Sequence, residues 1–117
     1  MKLNRLRPGR RLSDATIHNG VVYLAGQVPA DASQPIREQT RSVLAQIDAL
    51  LAEAGTDRSG ILTATIYLAN IGDFAAMNEM WDAWLGPEAE GPARATVEAR
   101  LASPDDKVEI QVIAAIG

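Results

Sequence analysis

The chain has 117 residues, of which 47% are hydrophobic and none is cysteine. This length and composition predict one globular domain over residues 1–117, and the lack of cysteine excludes disulfides, thiolate nucleophiles and zinc–thiolate sites. The formal net charge of −4 argues against a general nucleic-acid binder. The sequence has no apolar run long enough to span a membrane and no recognisable signal peptide, so we expect a cytoplasmic protein with no membrane partner.

The first part of the chain predicts three short strands. Residues 3–6 favour an edge strand, and residues 14–18 and 21–27 predict the two strands of a hairpin. Between them, Asn19 and Gly20 supply the positive φ angles that a tight type I′ turn requires. The only histidine directly precedes this turn, so we expect it to be an exposed turn residue rather than a metal ligand.

A first helix is predicted from Ser33 to Ala54. Ser33 can cap it, Pro35 is tolerated in its first turn, and Gly55 is a natural C-terminal stop. Apolar residues recur at helical spacing and predict a stripe that faces the core: Ile36, Val43, Leu44, Ile47, Leu50, Leu51 and Ala54.

A further strand and a second helix follow. Residues 61–69 are rich in β-branched side chains and predict a strand. Asp73 can cap the next helix, and Gly86 ends it. The apolar positions of this helix are spaced by three and four, which predicts core or interface rather than a ligand cage: Phe74, Met77, Trp81, Trp84 and Leu85.

The last two segments, residues 91–98 and 107–112, alternate polar and apolar residues and predict strands with one buried face. The loop between them is short, so we expect antiparallel neighbours. A turn near Ser103 would then set Thr96 opposite Glu109, and Arg94 opposite Gln111, all on one face of the sheet.

This predicted cluster has a chemical interpretation and a structural one. An arginine fork suits a substrate carboxylate, and a nearby carboxylate can orient or deprotonate a water molecule. The cluster therefore outlines a site for binding and hydrolysis. The alternative is a solvated sheet face on which Arg94 forms an ion pair with Glu98 or Glu109, including at a subunit interface.

The order of elements, β-β-β-α-β-α-β-β, predicts an α+β fold with a six-stranded mixed sheet and two helices packed on one face. The opposite face combines apolar and polar residues and must also be covered. We therefore expect another subunit against it.

Several segments, in order and spacing, resemble motifs of the RidA/YjgF family, which are small reactive-intermediate (enamine/imine) deaminases. The resemblance extends from about Ser13 to the C-terminus. The matching segments are Pro92-Ala93-Arg94-Ala95-Thr96-Val97-Glu98, Lys107-Val108-Glu109-Ile110, the hairpin from Asn19 to Pro29, the helix from Gln39-Thr40 to Gly55, and Asp73 to Asn78.

The resemblance implies a YjgF-like (chorismate-mutase-like) fold and a homotrimer with ligand clefts between subunits. It also implies hydrolysis of 2-imino acids and their enamine tautomers, such as 2-iminobutanoate and 2-iminopropanoate, to 2-oxo acids and ammonia. Neither a metal nor an organic cofactor is required by this chemistry. Two other readings stay open: a trimer that binds small 2-oxo or amino acids without turnover, and an RNA-directed or chaperone-like role.

The resemblance also implies roles for individual residues. Arg94 matches the arginine that holds the substrate carboxylate, and Glu109 matches the glutamate that positions the attacking water. Thr96 stands where many members have a cysteine, whose main-chain N–H assists the carboxylate. The other matched positions near the cleft are Asn78, Gly26 and Gln27.

Two positions depart from the family pattern. Leu12 replaces a tyrosine before the first hairpin, and Ala25 replaces a serine before the glycine–glutamine pair. Both changes remove hydroxyl groups from the implied site and bear on the substrate and the rate. They fit a divergent subgroup, of which the helix containing Trp81 and Trp84 is a further mark.

Overall fold

The computed structural model describes residues 3–117, and the predicted order of strands and helices is confirmed. Neither of the two helices in this part of the chain has the length and apolar character needed to cross a bilayer. The elements are β1 (Asn4–Leu6), β2 (Ala15–His18), β3 (Val21–Leu24), α1 (Ile36–Ala54), β4 (Ile61–Leu68), α2 (Phe74–Leu85), β5 (Ala93–Glu98) and β6 (Val108–Ala115).

The strands form one six-stranded sheet in the order β1-β2-β3-β6-β4-β5. Every neighbouring pair is antiparallel except β4 and β5, which run parallel, so the predicted mixed sheet is confirmed. The turn between β2 and β3 contains Asn19 at φ 51° and Gly20 at φ 75°, as its type I′ chemistry predicts.

The predicted pairing of the last two strands is wrong, because β4 lies between β5 and β6. Helix α2 joins β4 to β5 as a crossover, and a crossover of this kind produces parallel strands. Strand β6 buries alternate residues from Val108 to Ala114 completely, which suits a central position, whereas β5 is largely exposed. Residues 99–107 are long enough to step across the intervening strand.

The core lies between one face of the sheet and the two helices. The predicted stripe of α1 supplies Val43, Ile47 and Leu51, which are fully buried, and α2 supplies Met77 and Trp81. The sheet contributes alternate residues of its central strands, namely Val22 and Leu24, then Ala64, Ile66 and Leu68, then Val108, Ile110, Val112 and Ala114.

The predicted N-terminal cap of α1 is wrong, and that of α2 is confirmed in its position only. Helix α1 begins at Ile36, and Ser33 instead donates its N–H and its hydroxyl to the Asp31 carboxylate, at 3.0 and 2.6 Å. These hydrogen bonds lower the pKa of Asp31. Asp73 precedes α2, but its side chain makes no cap hydrogen bond. By contrast, Gly55 closes α1 at φ 92°, which confirms the predicted stop.

A buried glutamine, which the apolar pattern does not reveal, connects α1 to two loops. Gln39 is 0% exposed, and its Nε2 donates to the carbonyls of Ala32, Gln34 and Asp105 at 2.9–3.1 Å. Its Oε1 accepts the N–H of Lys107 at 2.8 Å. This side chain therefore fixes the point at which the chain enters β6.

We expect Gln39→Leu to lower the free energy of unfolding by about 2–4 kcal/mol, because three carbonyls and one N–H lose their buried partner. Chemical denaturation measures this difference. Gln46→Leu is the matched control: Gln46 lies on the same helix and donates only to Val28 O and Ser42 Oγ at a more exposed site. Equal losses in the two variants would contradict the special role of Gln39.

Candidate functional site

Arg94 lies on the edge strand β5, on the face of the sheet that carries the helices. Its neighbour in register on β4 is Ala64, which is buried against those helices. The guanidinium carbon lies 5.3 Å from the ring centre of Trp81 and 5.9 Å from that of Phe74. Both distances are within the range of cation–π attraction, so two rings of α2 hold the arginine.

Within residues 3–117, no carboxylate oxygen lies within 4.0 Å of the Arg94 guanidinium. Glu98 is occupied elsewhere, since its Oε1 accepts the N–H of Ile71 at 2.8 Å. Inside one protomer, therefore, Arg94 forms neither of the ion pairs that the alternative interpretation requires.

An open depression of about 610 Å³ lies beside Arg94. Asn78 of α2 and the loop over residues 86–91 line it together with Trp81, so the fold brings Asn78 and Arg94 to one site as predicted. Thr96 follows two positions along β5 on the same face, and its Oγ1 is buried without a hydrogen-bond partner among the described residues.

Glu109 lies on the opposite face of the sheet. In register it neighbours Tyr67 of β4, which alternates with the buried Ile66 and Leu68. Residues with their side chains on this face, including Gln111, line a second open depression of about 440 Å³. The prediction that Arg94, Thr96, Glu109 and Gln111 share one face is therefore wrong, as a direct consequence of the position of β4.

Gly26 lies directly against the Glu109 carboxylate. A β-carbon at this position would lie 2.0 Å from Glu109 Oε2, so only glycine leaves room for the observed side-chain position. The adjacent Gln27 fixes this segment, because its N–H and C=O pair with the backbone of Ile110 at 2.8 and 3.1 Å. Gly26 and Glu109 thus meet at one site, whereas the side chain of Gln27 lies on the helix side of the sheet, beside Gln46 and Leu50 of α1.

Comparison with known proteins assigns the family. Residues 2–116 match the family model described as Endoribonuclease L-PSP, and a RutC family protein of Haemophilus ducreyi is 49% identical over 97% of each chain. The chain belongs to the YjgF/RutC family. The RutC family protein YoaB of Escherichia coli is 47% identical, over 99% of this chain and all of its own.

Solved structures of the YjgF/RutC family share the fold. A YjgF family member from Neisseria meningitidis superposes with a TM-score of 0.94 at 45% identity, covering 100% of this chain and 97% of its own. A protein of Salmonella typhimurium described as a putative translation initiation inhibitor gives a TM-score of 0.87 at 43% identity, over 97% of each chain.

The two departures from the family pattern, Ala25 and Leu12, differ in their surroundings. Ala25 directly precedes Gly26, and its N–H donates to the Asp14 carbonyl at 2.9 Å. Leu12 is in the loop between β1 and β2, where its side chain is 63% exposed. Ala25 thus adds no hydroxyl beside Glu109. The exposed side chain in the loop between β1 and β2 is the apolar Leu12.

A polar clamp, which sequence reasoning missed, joins α1 to α2 behind Arg94. The Asp48 carboxylate accepts the indole N–H of Trp84 at 2.9 Å and an Arg58 N–H at 2.8 Å. The Arg58 guanidinium also lies 4.9 Å from the Trp84 ring centre and donates to the Trp84 carbonyl. No local spacing links these three positions, so only the packed fold reveals the clamp.

The face of the sheet that carries Glu109 is also partly apolar. Tyr23 of β3 and Val97 of β5 are 44% and 43% exposed on it, beside the smaller side chains of Ala93 and Ala95. This face therefore combines exposed apolar side chains with the polar side chains of β4 and β6 that lie between them.

Proposed function

We propose that the protein hydrolyses 2-imino acids and their enamine tautomers to 2-oxo acids and ammonia, in clefts between the subunits of a homotrimer. The observation that carries this proposal is the separation of two complementary half-sites. An arginine without a carboxylate partner lies on one face of the protomer, and a carboxylate held against Gly26 lies on the other.

Arg94 is suited to anchor the substrate carboxylate. A guanidinium offers parallel N–H donors that match both oxygens of a carboxylate, and such charge-assisted pairs are strong. Because no acidic side chain of residues 3–117 pairs with Arg94, its donors are available to a ligand. Asn78 adds an amide at the same depression.

Glu109 is suited to handle water and protons. Its carboxylate accepts a proton from water as the oxygen bonds to the electrophilic imine carbon, and then returns the proton to the nitrogen. The tetrahedral intermediate loses ammonia and forms the C=O of the 2-oxo acid. The net reaction adds one water and releases one ammonia, with no change in oxidation state.

One protomer alone offers no position at which a small imino acid touches both groups. The carboxylate and the imine carbon of the substrate are one bond apart, whereas Arg94 and Glu109 point away from opposite faces of the sheet. A second copy of the chain that packs on the partly apolar face with Glu109 would bring the two half-sites together. The incomplete site therefore supports the oligomer that we propose.

A second candidate, binding of small 2-oxo or amino acids without turnover, is favoured by Leu12 and Ala25. Neither residue supplies a hydroxyl near Glu109 to guide a proton. This candidate keeps Arg94 as the carboxylate anchor and differs only in the absence of hydrolysis. A turnover assay therefore distinguishes it from the first proposal.

The endoribonuclease description of the family model receives less support from this chain. The net charge is −4, and the only histidine, His18, lies at the far end of the sheet from Glu109. The register connects His18 through Val21 to Ala115, six residues from Glu109 and roughly 20 Å away along the strand.

We expect Arg94→Ala to lose about 2 kcal/mol or more of carboxylate binding, and with it most of the hydrolysis, because the charged hydrogen bonds disappear. A dehydratase or an amino-acid oxidase generates the imine in place, and its decay is followed with each protein. Arg41→Ala, on the exposed surface of α1, serves as the control for the loss of an arginine. Full activity of folded Arg94→Ala would refute the role of Arg94.

We expect Gly26→Ala to reduce hydrolysis strongly while leaving 2-oxobutanoate binding and stability close to wild type. The new β-carbon displaces the flexible end of Glu109 but does not reach Arg94. Turnover, calorimetric binding and chemical denaturation measure the three effects separately. Wild-type turnover in this variant would show that the observed position of Glu109 is not needed.

Mixing two inactive variants tests the shared cleft. Arg94→Ala and Glu109→Gln subunits, refolded together in equal amounts, should recover activity in about one quarter of the clefts, since each mixed trimer contains one cleft with both groups. The recovered rate is compared with that of either variant refolded alone. No recovery, with mixed trimers verified by native mass spectrometry, would contradict an inter-subunit site.

A further inference from the structure

Arg94 is held by aromatic faces rather than by an acidic side chain. The Trp81 and Phe74 ring centres lie 5.3 and 5.9 Å from its guanidinium carbon, and no carboxylate of residues 3–117 pairs with it. A carboxylate partner orients an arginine by accepting hydrogen bonds from its N–H donors. Here the aromatic rings of Trp81 and Phe74 orient the guanidinium instead.

We propose that Trp81 is a positioning residue that presents the N–H edge of Arg94 to the ligand carboxylate, with Phe74 as the second ring. The inference rests on the proposed function, because it takes Arg94 as the carboxylate anchor. Trp81 itself acts only through Arg94.

The chemistry of the guanidinium explains the advantage of this arrangement. The attraction to a ring acts on the positive charge, while the N–H donors remain available for hydrogen bonds to oxygen. An acidic partner would instead occupy those donors and cancel the positive charge. A ring thus fixes the direction of Arg94 and preserves its attraction for an anion.

Trp81 is the better placed of the two rings. It is 4% exposed, whereas Phe74 is 41% exposed, and the attraction between a cation and a ring strengthens when water is excluded. Trp84 packs against it with ring centres 5.3 Å apart, and the indole N–H of Trp84 is fixed by Asp48. The clamp between α1 and α2 therefore supports the ring that supports Arg94.

The test compares ring-retaining and ring-removing variants by calorimetric binding of 2-oxobutanoate. We expect Trp81→Leu to weaken binding about ten-fold and Trp81→Phe to restore most of the affinity, since phenylalanine keeps a ring at this position. Leu50→Ala is the control for lost packing, because Leu50 is a buried side chain of α1 that lies beside Arg7 and Asp14 and not beside Arg94. It should lower stability while changing the affinity for 2-oxobutanoate by less than about two-fold.

A neutral ligand separates positioning from general damage to the cleft. In wild type, 2-oxobutanoate should bind more tightly than 2-oxobutanamide, and Trp81→Leu should reduce that preference about ten-fold. A merely structural role of Trp81 would weaken both ligands equally and leave the preference unchanged. That result would overturn the inference.

Tryptophan fluorescence detects the contact between Trp81 and Arg94 directly, including in the unliganded protein. The chain has two tryptophans, so Trp84→Phe leaves Trp81 as the only indole. We expect its emission maximum to shift when Arg94→Ala is added and when 2-oxobutanoate binds. An emission maximum that stays the same after the Arg94→Ala substitution and after 2-oxobutanoate binding would overturn the inference.

The outcomes also separate this inference from the proposed function. Loss of carboxylate preference in Trp81→Leu, with no imine hydrolysis by wild type, would support the inference and refute the deaminase. Unchanged preference in Trp81→Leu, with hydrolysis by wild type, would refute only the inference. Absence of 2-oxobutanoate binding by wild type would refute both the role of Arg94 as an anchor and the inference. The proposed deaminase activity would then be tested by the hydrolysis assay alone.

Discussion

The parallel pairing of β5 with β4 is the constraint on which the rest of the structure depends. It follows from the α2 crossover, and it puts β5 at the edge of the sheet with Arg94 towards the helices. Strand β6 then occupies the centre, where its buried residues face the same helices and Glu109 faces the other way. The separation of the two half-sites is thus a product of topology rather than of local sequence.

The same topology explains why each half-site is built differently. On the helix side, aromatic residues of α2 are available, so the cation is held by Trp81 and Phe74. On the open side no helix of residues 3–117 covers the sheet, and the carboxylate is held by close backbone contact at Gly26. Each chemical group therefore uses the support that its own face provides.

The sequence predicted the features that depend on local periodicity and turn chemistry. The order of elements, the α1 stripe, the Asn19-Gly20 turn and the Gly55 stop are all confirmed. Pairing between distant strands was missed, because the alternation of residues in β5 and β6 says which residues share a face but not which strand lies beside them. The predicted Ser33 cap is wrong because α1 begins later, at Ile36 after Pro35, and Ser33 instead forms a local turn with Asp31.

The candidate site was predictable as a set of residues but not as a geometry. The family motifs contain Arg94, Glu109 and Gly26, whereas the aromatic support of Arg94 depends on the packed positions of α2 and β5. Nothing in the spacing of residues 81 and 94 links them. In the function that we propose, an anchor whose charge is retained by aromatic contacts, together with a Glu109 site that lacks two hydroxyls of the family pattern, favours selection by the substrate carboxylate more than by its side chain.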